Sequence, residues 1–154
     1  MILGIYIGSI LLFNTSSQLI SSKKTCFLIL EANSCLLTGF KNYKNLDYIA
    51  CWFIKATNFI KGNNQSKFSF VTTDSLTQGE QVGLLWPYIF SQSLEIKYAH
   101  QSFKWTNNAK DNAGVSCVII GVGNRSKDSK FLFRDGIKRT VTNINPYLTG
   151  GKNI

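Results

Sequence analysis

Residues 102–121 read SFKWTNNAKDNAGVSCVIIG, and how they are divided decides the fold. From Val115 the chain is uncharged and rich in β-branched residues, which predicts a buried strand over Val115–Val122. The residues before it predict a long loop of unusual content. Phe103 and Trp105 flank Lys104 in a polar segment where a plain turn would use Gly, Asn or Asp.

Working backward, LEIKYAH alternates and predicts a strand over Leu94–His100. Before it, Thr77-Gln78-Gly79-Glu80 fits a capping box, so a helix is expected from near Thr77 to Phe90, disturbed at Pro87. KFSFVTT predicts a strand over Lys67–Thr73. Ile49, Trp52, Phe53, Ala56 and Phe59/Ile60 recur at helical spacing with Gly62 as a stop, giving a helix over Leu46–Lys61. Up to about Phe40 no period is sustained and no element is assigned. Working forward, KFLFR adds a short strand. The order helix, strand, helix, strand, loop, strand predicts an α/β sheet whose last strand, joined by a loop rather than a helix, runs antiparallel.

The chain has 154 residues, long enough for one domain that buries most of its unfolded surface. Its 17 Lys and Arg against 8 Asp and Glu give a net charge of +9, concentrated between Lys97 and Arg139. Such a surface is drawn to polyanions, with nucleic acid the leading class and a generally basic soluble surface the plainer reading. No apolar run is long enough for a membrane span. The start, MILGIYIGSILLF, lacks the positive residues of a secretory signal. Cys26, Cys35, Cys51 and Cys117 show no paired spacing, and with His100 the lone histidine, zinc binding and a serine–histidine triad are poorly supported. A reduced, cytoplasmic setting is expected.

Three constellations carry chemistry. Asp74 followed by Glu95-x-Lys97 resembles the acids and lysine of a Mg²⁺-dependent nuclease, against which stands a solvent face of alternating charges. Asn145-Pro146-Tyr147 resembles the turn of amino-methyltransferases, but with one proline where they have two, and reads better as a simple Asn-Pro turn. The loop is the third. A base extruded from a duplex is held by aromatic stacking, which Phe103 or Trp105 would supply. Lys104 and Lys110 would meet phosphates, and Asn107 and Asn108 base or sugar edges. The alternative is that both aromatics point inward at a strand end.

Four blocks then carry a family resemblance: NLDYIACWFIKATNFI at 45–60, FSFVTTDSLTQGEQVGLLWPYIF at 68–90, SFKWTNNAKDNAGVSCVIIGVGN at 102–124 and NINPYL at 143–148. In this order and spacing they resemble the later part of the adenine-specific DNA methyltransferase domain of MmeI-like restriction-modification enzymes, over roughly residues 39–154. The resemblance implies the carboxyl-terminal half of a Rossmann-like class I methyltransferase sheet, S-adenosylmethionine as cofactor and double-stranded DNA as partner. It implies that Phe103 packs against the flipped adenine, and it places Asp47 and Tyr48 on the cofactor and active-site side.

The same resemblance marks departures. The glycine-rich cofactor turn has no match here, and Leu3-Gly4-Ile5 stand where the catalytic Asn-Pro-Pro is needed, ahead of a matching Tyr6-Ile7-Gly8-Ser9. Residues 1–38 are left unassigned, as a local frame change or decay would leave them. The expectation is therefore a fragment without an intact catalytic motif, inactive and without bound cofactor unless a separate polypeptide supplies the missing half. A non-enzymatic basic nucleic-acid-binding module is the alternative.

Overall fold

The computed structural model describes residues 2–5, 45–63, 65–105 and 115–153. Among these residues six strands form one sheet in the order β1-β2-β4-β3-β5-β6. These are β1 Ile2–Ile5, β2 Lys67–Thr73, β3 Leu94–Trp105, β4 Val115–Asn124, β5 Lys130–Arg134 and β6 Ile137–Val141. Helices α1, Tyr48–Ile60, and α2, Gly79–Ser91, lie between β1 and β2 and between β2 and β3 in the chain. β1 runs parallel to β2 and β5 parallel to β3, while β4 lies antiparallel between β2 and β3. This is the α/β class expected, with the expected antiparallel strand inserted between parallel ones. Ile2–Ile5, to which the sequence alone assigns no element, supplies β1.

Both helices pack on one face of the sheet. Phe53 of α1 meets Phe68 and Phe70 of β2 and Trp86 of α2 edge-on, at centroid distances of 5.7, 5.1 and 6.0 Å. The buried stripe of α1 is Ala50, Cys51, Phe53, Ile54, Thr57 and Ile60, one residue round from the predicted one, and Phe59 is left 73% exposed. Gly62 ends the helix region at φ +82, a conformation that costs glycine nothing.

The predicted capping box does not form. Thr77 closes a 3₁₀ turn, Asp74–Thr77, by donating its hydroxyl to the Asp74 carbonyl at 2.7 Å, and α2 begins only at Gly79. The turn is pinned by the buried Trp86, whose indole N–H donates to Leu76 O at 2.8 Å. α2 runs through Pro87 to Ser91, one residue past the expected Phe90.

The predicted long loop is shortened from its front. β3 continues to Trp105, so Phe103, Lys104 and Trp105 are strand residues paired with Cys117, Ser116 and Val115. Strict alternation along LEIKYAH also fails, because the β3–β4 register shifts between Ile96 and Tyr98 and again between His100 and Phe103. In the second shift His100 faces Ile119 and Phe103 faces Cys117, leaving Gln101 and Ser102 together opposite Val118. Such a bulge re-aims the side chains beyond it. His100 and Phe103 end on the face away from the helices, while two polar residues point to the helix face.

Candidate nucleic-acid interface

Because β1, β2, β3 and β5 run in one direction, their carboxyl ends, at Ile5, Thr73, Trp105 and Arg134, line one edge of the sheet. Open α/β sheets bind ligands outside this edge. Phe103 and Trp105 lie there half-buried on the sheet face opposite the helices, with the buried Cys117 paired across from Phe103. Burial, and then the Asp74 charge, push the Cys117 thiol above its ordinary pKa, so it lies here as a small apolar group. Lys104 is exposed on the other face. Asn107, Asn108 and Lys110 fall outside the described residues.

Asp47 precedes α1 on the same edge. Its backbone N–H donates to Gln81 Oε1 at 3.0 Å, and Gln81 Nε2 donates to Asn45 O at 2.6 Å, so a side chain in the first turn of α2 fixes the start of α1. Tyr48 is the first residue of that helix.

Asp74 and Glu95 are not neighbours, which removes the nuclease reading. Asp74 follows the carboxyl end of β2 and accepts a hydrogen bond from Ser102 Oγ at 3.1 Å, whereas Glu95 begins β3 at the opposite edge. Seven residues of strand separate Glu95 from Ser102, on the order of 20 Å. Glu95 is the centre of a buried ion cluster instead. Its Oε1 lies 2.7 Å from Lys97 Nζ and 3.1 Å from Lys130 Nζ, and accepts the Ser126 N–H at 3.0 Å. Burial alone would raise its pKa, but the donors from Lys97, Ser126 and Lys130 outweigh it and hold the carboxylate below its ordinary value.

Asn145-Pro146-Tyr147 is the simple turn that its sequence suggests. Asn145 Oδ1 accepts from Tyr147 N and Thr149 N, each at 3.1 Å, and from Thr149 Oγ1 at 3.0 Å. Leu148 is thereby held at φ +56 with its side chain buried, and its carbonyl accepts from Gln101 Nε2 at 2.8 Å. This turn closes one side of an open cleft of about 300 Å³, lined by Asp74, Gln101, Ser102, Arg134 and Tyr147 over Val118 and Leu148. Sequence reasoning missed the cleft. The available signals were the Asp135-Gly136 hairpin turn, which sets Arg134, and the polar pair Gln101-Ser102 breaking an alternating strand.

Among known proteins, the family model described as the MmeI DNA-methyltransferase domain matches residues 30–134. DNA methyltransferase A of Bacillus subtilis (strain 168) is 50% identical over 115 residues, covering 74% of this chain and 13% of that protein. A solved structure of the Type IIL restriction-modification enzyme MmeI in complex with DNA superposes with a TM-score of 0.76 at 36% identity, over 87% of this chain and 18% of its own. The chain thus spans less than a fifth of either relative. With two thirds of its residues under the family model, the chain belongs to the MmeI DNA-methyltransferase domain family.

Proposed function

We propose that residues 39–154 form the DNA-facing, carboxyl-terminal half of a domain that transfers a methyl group from S-adenosylmethionine to the exocyclic amino group of adenine in double-stranded DNA. Phe103 stacks on the extruded base, with Trp105 beside it. Lys104 and Lys110 meet phosphates, and Asn107 and Asn108 meet base or sugar edges. Asp47 and Tyr48 face the cofactor and active-site side.

The observation that carries this reading is the bulge at Gln101-Ser102, which turns Phe103 and Trp105 onto one face at the carboxyl edge of the sheet. Both rings are half-buried there. Stacking on such a ring contributes ~1–3 kcal/mol per base. The chain alone binds DNA through its +9 charge but does not methylate it, since Leu3-Gly4-Ile5 occupy the place of the catalytic Asn-Pro-Pro. Ile2–Ile5 keeps a place in the sheet beside β2, and a separate upstream half, if supplied, would complete the cofactor site.

The test is a chimaera in which the 115 matched residues of this chain replace the corresponding segment of the Bacillus relative. The chimaera should form N6-methyladenine in duplex DNA, while this chain alone should transfer no label from S-adenosylmethionine. Phe103→Ala in the chimaera should slow single-turnover methylation about ten- to a hundredfold with little change in duplex affinity, because phosphates supply most of that affinity. An unchanged rate would remove Phe103 from the site, and methylated cytosine in place of adenine would overturn the assigned substrate.

A further inference from the structure

The cleft beside Tyr147 opens on the helix face of the sheet, whereas Phe103 sits on the opposite face, so the two are separate features of one edge. We infer that this cleft holds a second, unstacked nucleotide of the DNA strand, one whose base carries an exocyclic amino group. The inference rests on the reading of this edge as DNA-facing.

Three features of the cleft match the three parts of a nucleotide. The first is an aromatic wall on a rigid support. Tyr147 is 48% exposed, yet its backbone is fixed by the Asn145 turn and by the buried Leu148 beside it, so its ring is offered without loss of much freedom. A left-handed φ at Leu148, a bulky residue, is maintained only where surrounding contacts over-determine it. The second is an acceptor for a base edge. The Asp74 carboxylate, oriented by Ser102, accepts hydrogen bonds only, which suits the amino group of adenine or cytosine and not thymine, which has none. The third is a cation at the rim, where the Arg134 guanidinium, paired at 3.4 Å with the likewise exposed Asp135, keeps donors free to meet a phosphate. Val118 and Leu148, themselves almost fully buried, lie beneath the cleft.

The bulge connects this cleft with Phe103. By placing Gln101 and Ser102 on the helix face and Phe103 on the other, it builds both walls of the edge in three residues.

The experiment measures anisotropy of the chain with short labelled duplexes that are fully paired, carry one unpaired adenine, or carry one unpaired thymine. In a Phe103→Ala background, unpaired adenine should still be preferred over paired DNA. Tyr147→Ala should then weaken binding of that probe about tenfold, and Tyr147→Phe should restore it, since the ring alone stacks. Unpaired thymine should bind more weakly than unpaired adenine, and Asp74→Asn should reduce that difference. If Phe103→Ala alone abolishes the preference, one nucleotide is held and the inference falls. Salt-dependent binding that is indifferent to Tyr147→Ala overturns the inference while leaving the DNA-facing reading intact. Failure of the folded chain to bind any probe overturns both.

Discussion

The two ends of the sheet use similar residues for opposite purposes. At the amino end, Glu95, Lys97 and Lys130 form a closed cluster in which Glu95 and Lys130 expose 7% and 4% of their side chains. At the carboxyl end, Asp74, Ser102 and Arg134 border an open cleft. A charge satisfied by the protein itself has little left to offer a ligand, while one satisfied by a single exposed hydroxyl remains available. Motif reading from sequence cannot make this distinction, because Glu95-x-Lys97 and Asp74 look equally chemical when written in line. The structure separates them by their edge of the sheet.

The sharpest way to break this comparison is to remove the acid from each end. Glu95→Ala leaves Lys130 buried with no carboxylate beside it, and losing one partner of a buried pair costs about 3–5 kcal/mol. Asp74→Ala removes one exposed hydrogen bond and should change stability by less than about 1 kcal/mol. Urea denaturation of both variants measures the contrast. Equal losses would mean that the amino-end cluster is no more structural than the cleft.

Acid titration should resolve a next, smaller effect. Burial holds the His100 imidazole, stacked on Phe133 at 4.5 Å, below its ordinary pKa of 6.5. A depressed folded value means that the unfolded chain takes up the proton first. The His100 contribution is therefore complete above pH 6.5 and is lost as pH falls through the folded value. Glu95, also depressed, contributes fully above its ordinary 4.5 and loses that contribution at lower pH still. Stability against pH should fall in two steps, with His100→Gln removing the upper and Glu95→Gln the lower. A single step surviving both substitutions would show that other groups control acid unfolding.

How much of the molecule is legible in sequence depends on the range of the signal. Helix α1 can be read because its apolar spacing is local, although that spacing wrongly draws Phe59 inward, since on a stripe read from one helix alone Phe59 and Ile60 are equivalent. The strands β2 and β4 are legible from their composition. The bulges in β3 are not, because the extra residue is defined by Ile119, Val118 and Cys117 on another strand, and only the partner's register shows that Gln101 and Ser102 share one place. Thr77 misleads for a related reason. Its hydroxyl has two local acceptor and donor choices, and the burial of Trp86 against Leu76 favours the 3₁₀ turn over the cap. At the candidate site, Phe103 and Trp105 stand out as unusual from sequence alone, but their place in a strand and the existence of the Tyr147 cleft depend on contacts across the sheet.

The smallest effect tests the one carboxyl-end feature that local sequence does encode. Asp135-Gly136 joins β5 to β6 with φ values of +50 and +76, the left-handed pair required by a two-residue hairpin whose twist matches its strands. A methyl group built on Gly136 would meet nothing within 4 Å, so any cost of Gly136→Ala comes from the backbone alone. For an L-residue that cost is about 1–2 kcal/mol. Gly136→Asn should cost less, because asparagine tolerates the left-handed region through its own short hydrogen bonds. Urea midpoints should therefore rank wild type, then Asn, then Ala, with unchanged slopes. Since the turn fixes Arg134 at the rim of the cleft, the same ranking should appear, weakly, in affinity for the unpaired-adenine probe. Equal losses for Ala and Asn would show that the turn is not under left-handed constraint, and Arg134 would then lose its fixed place in the comparison between the two ends.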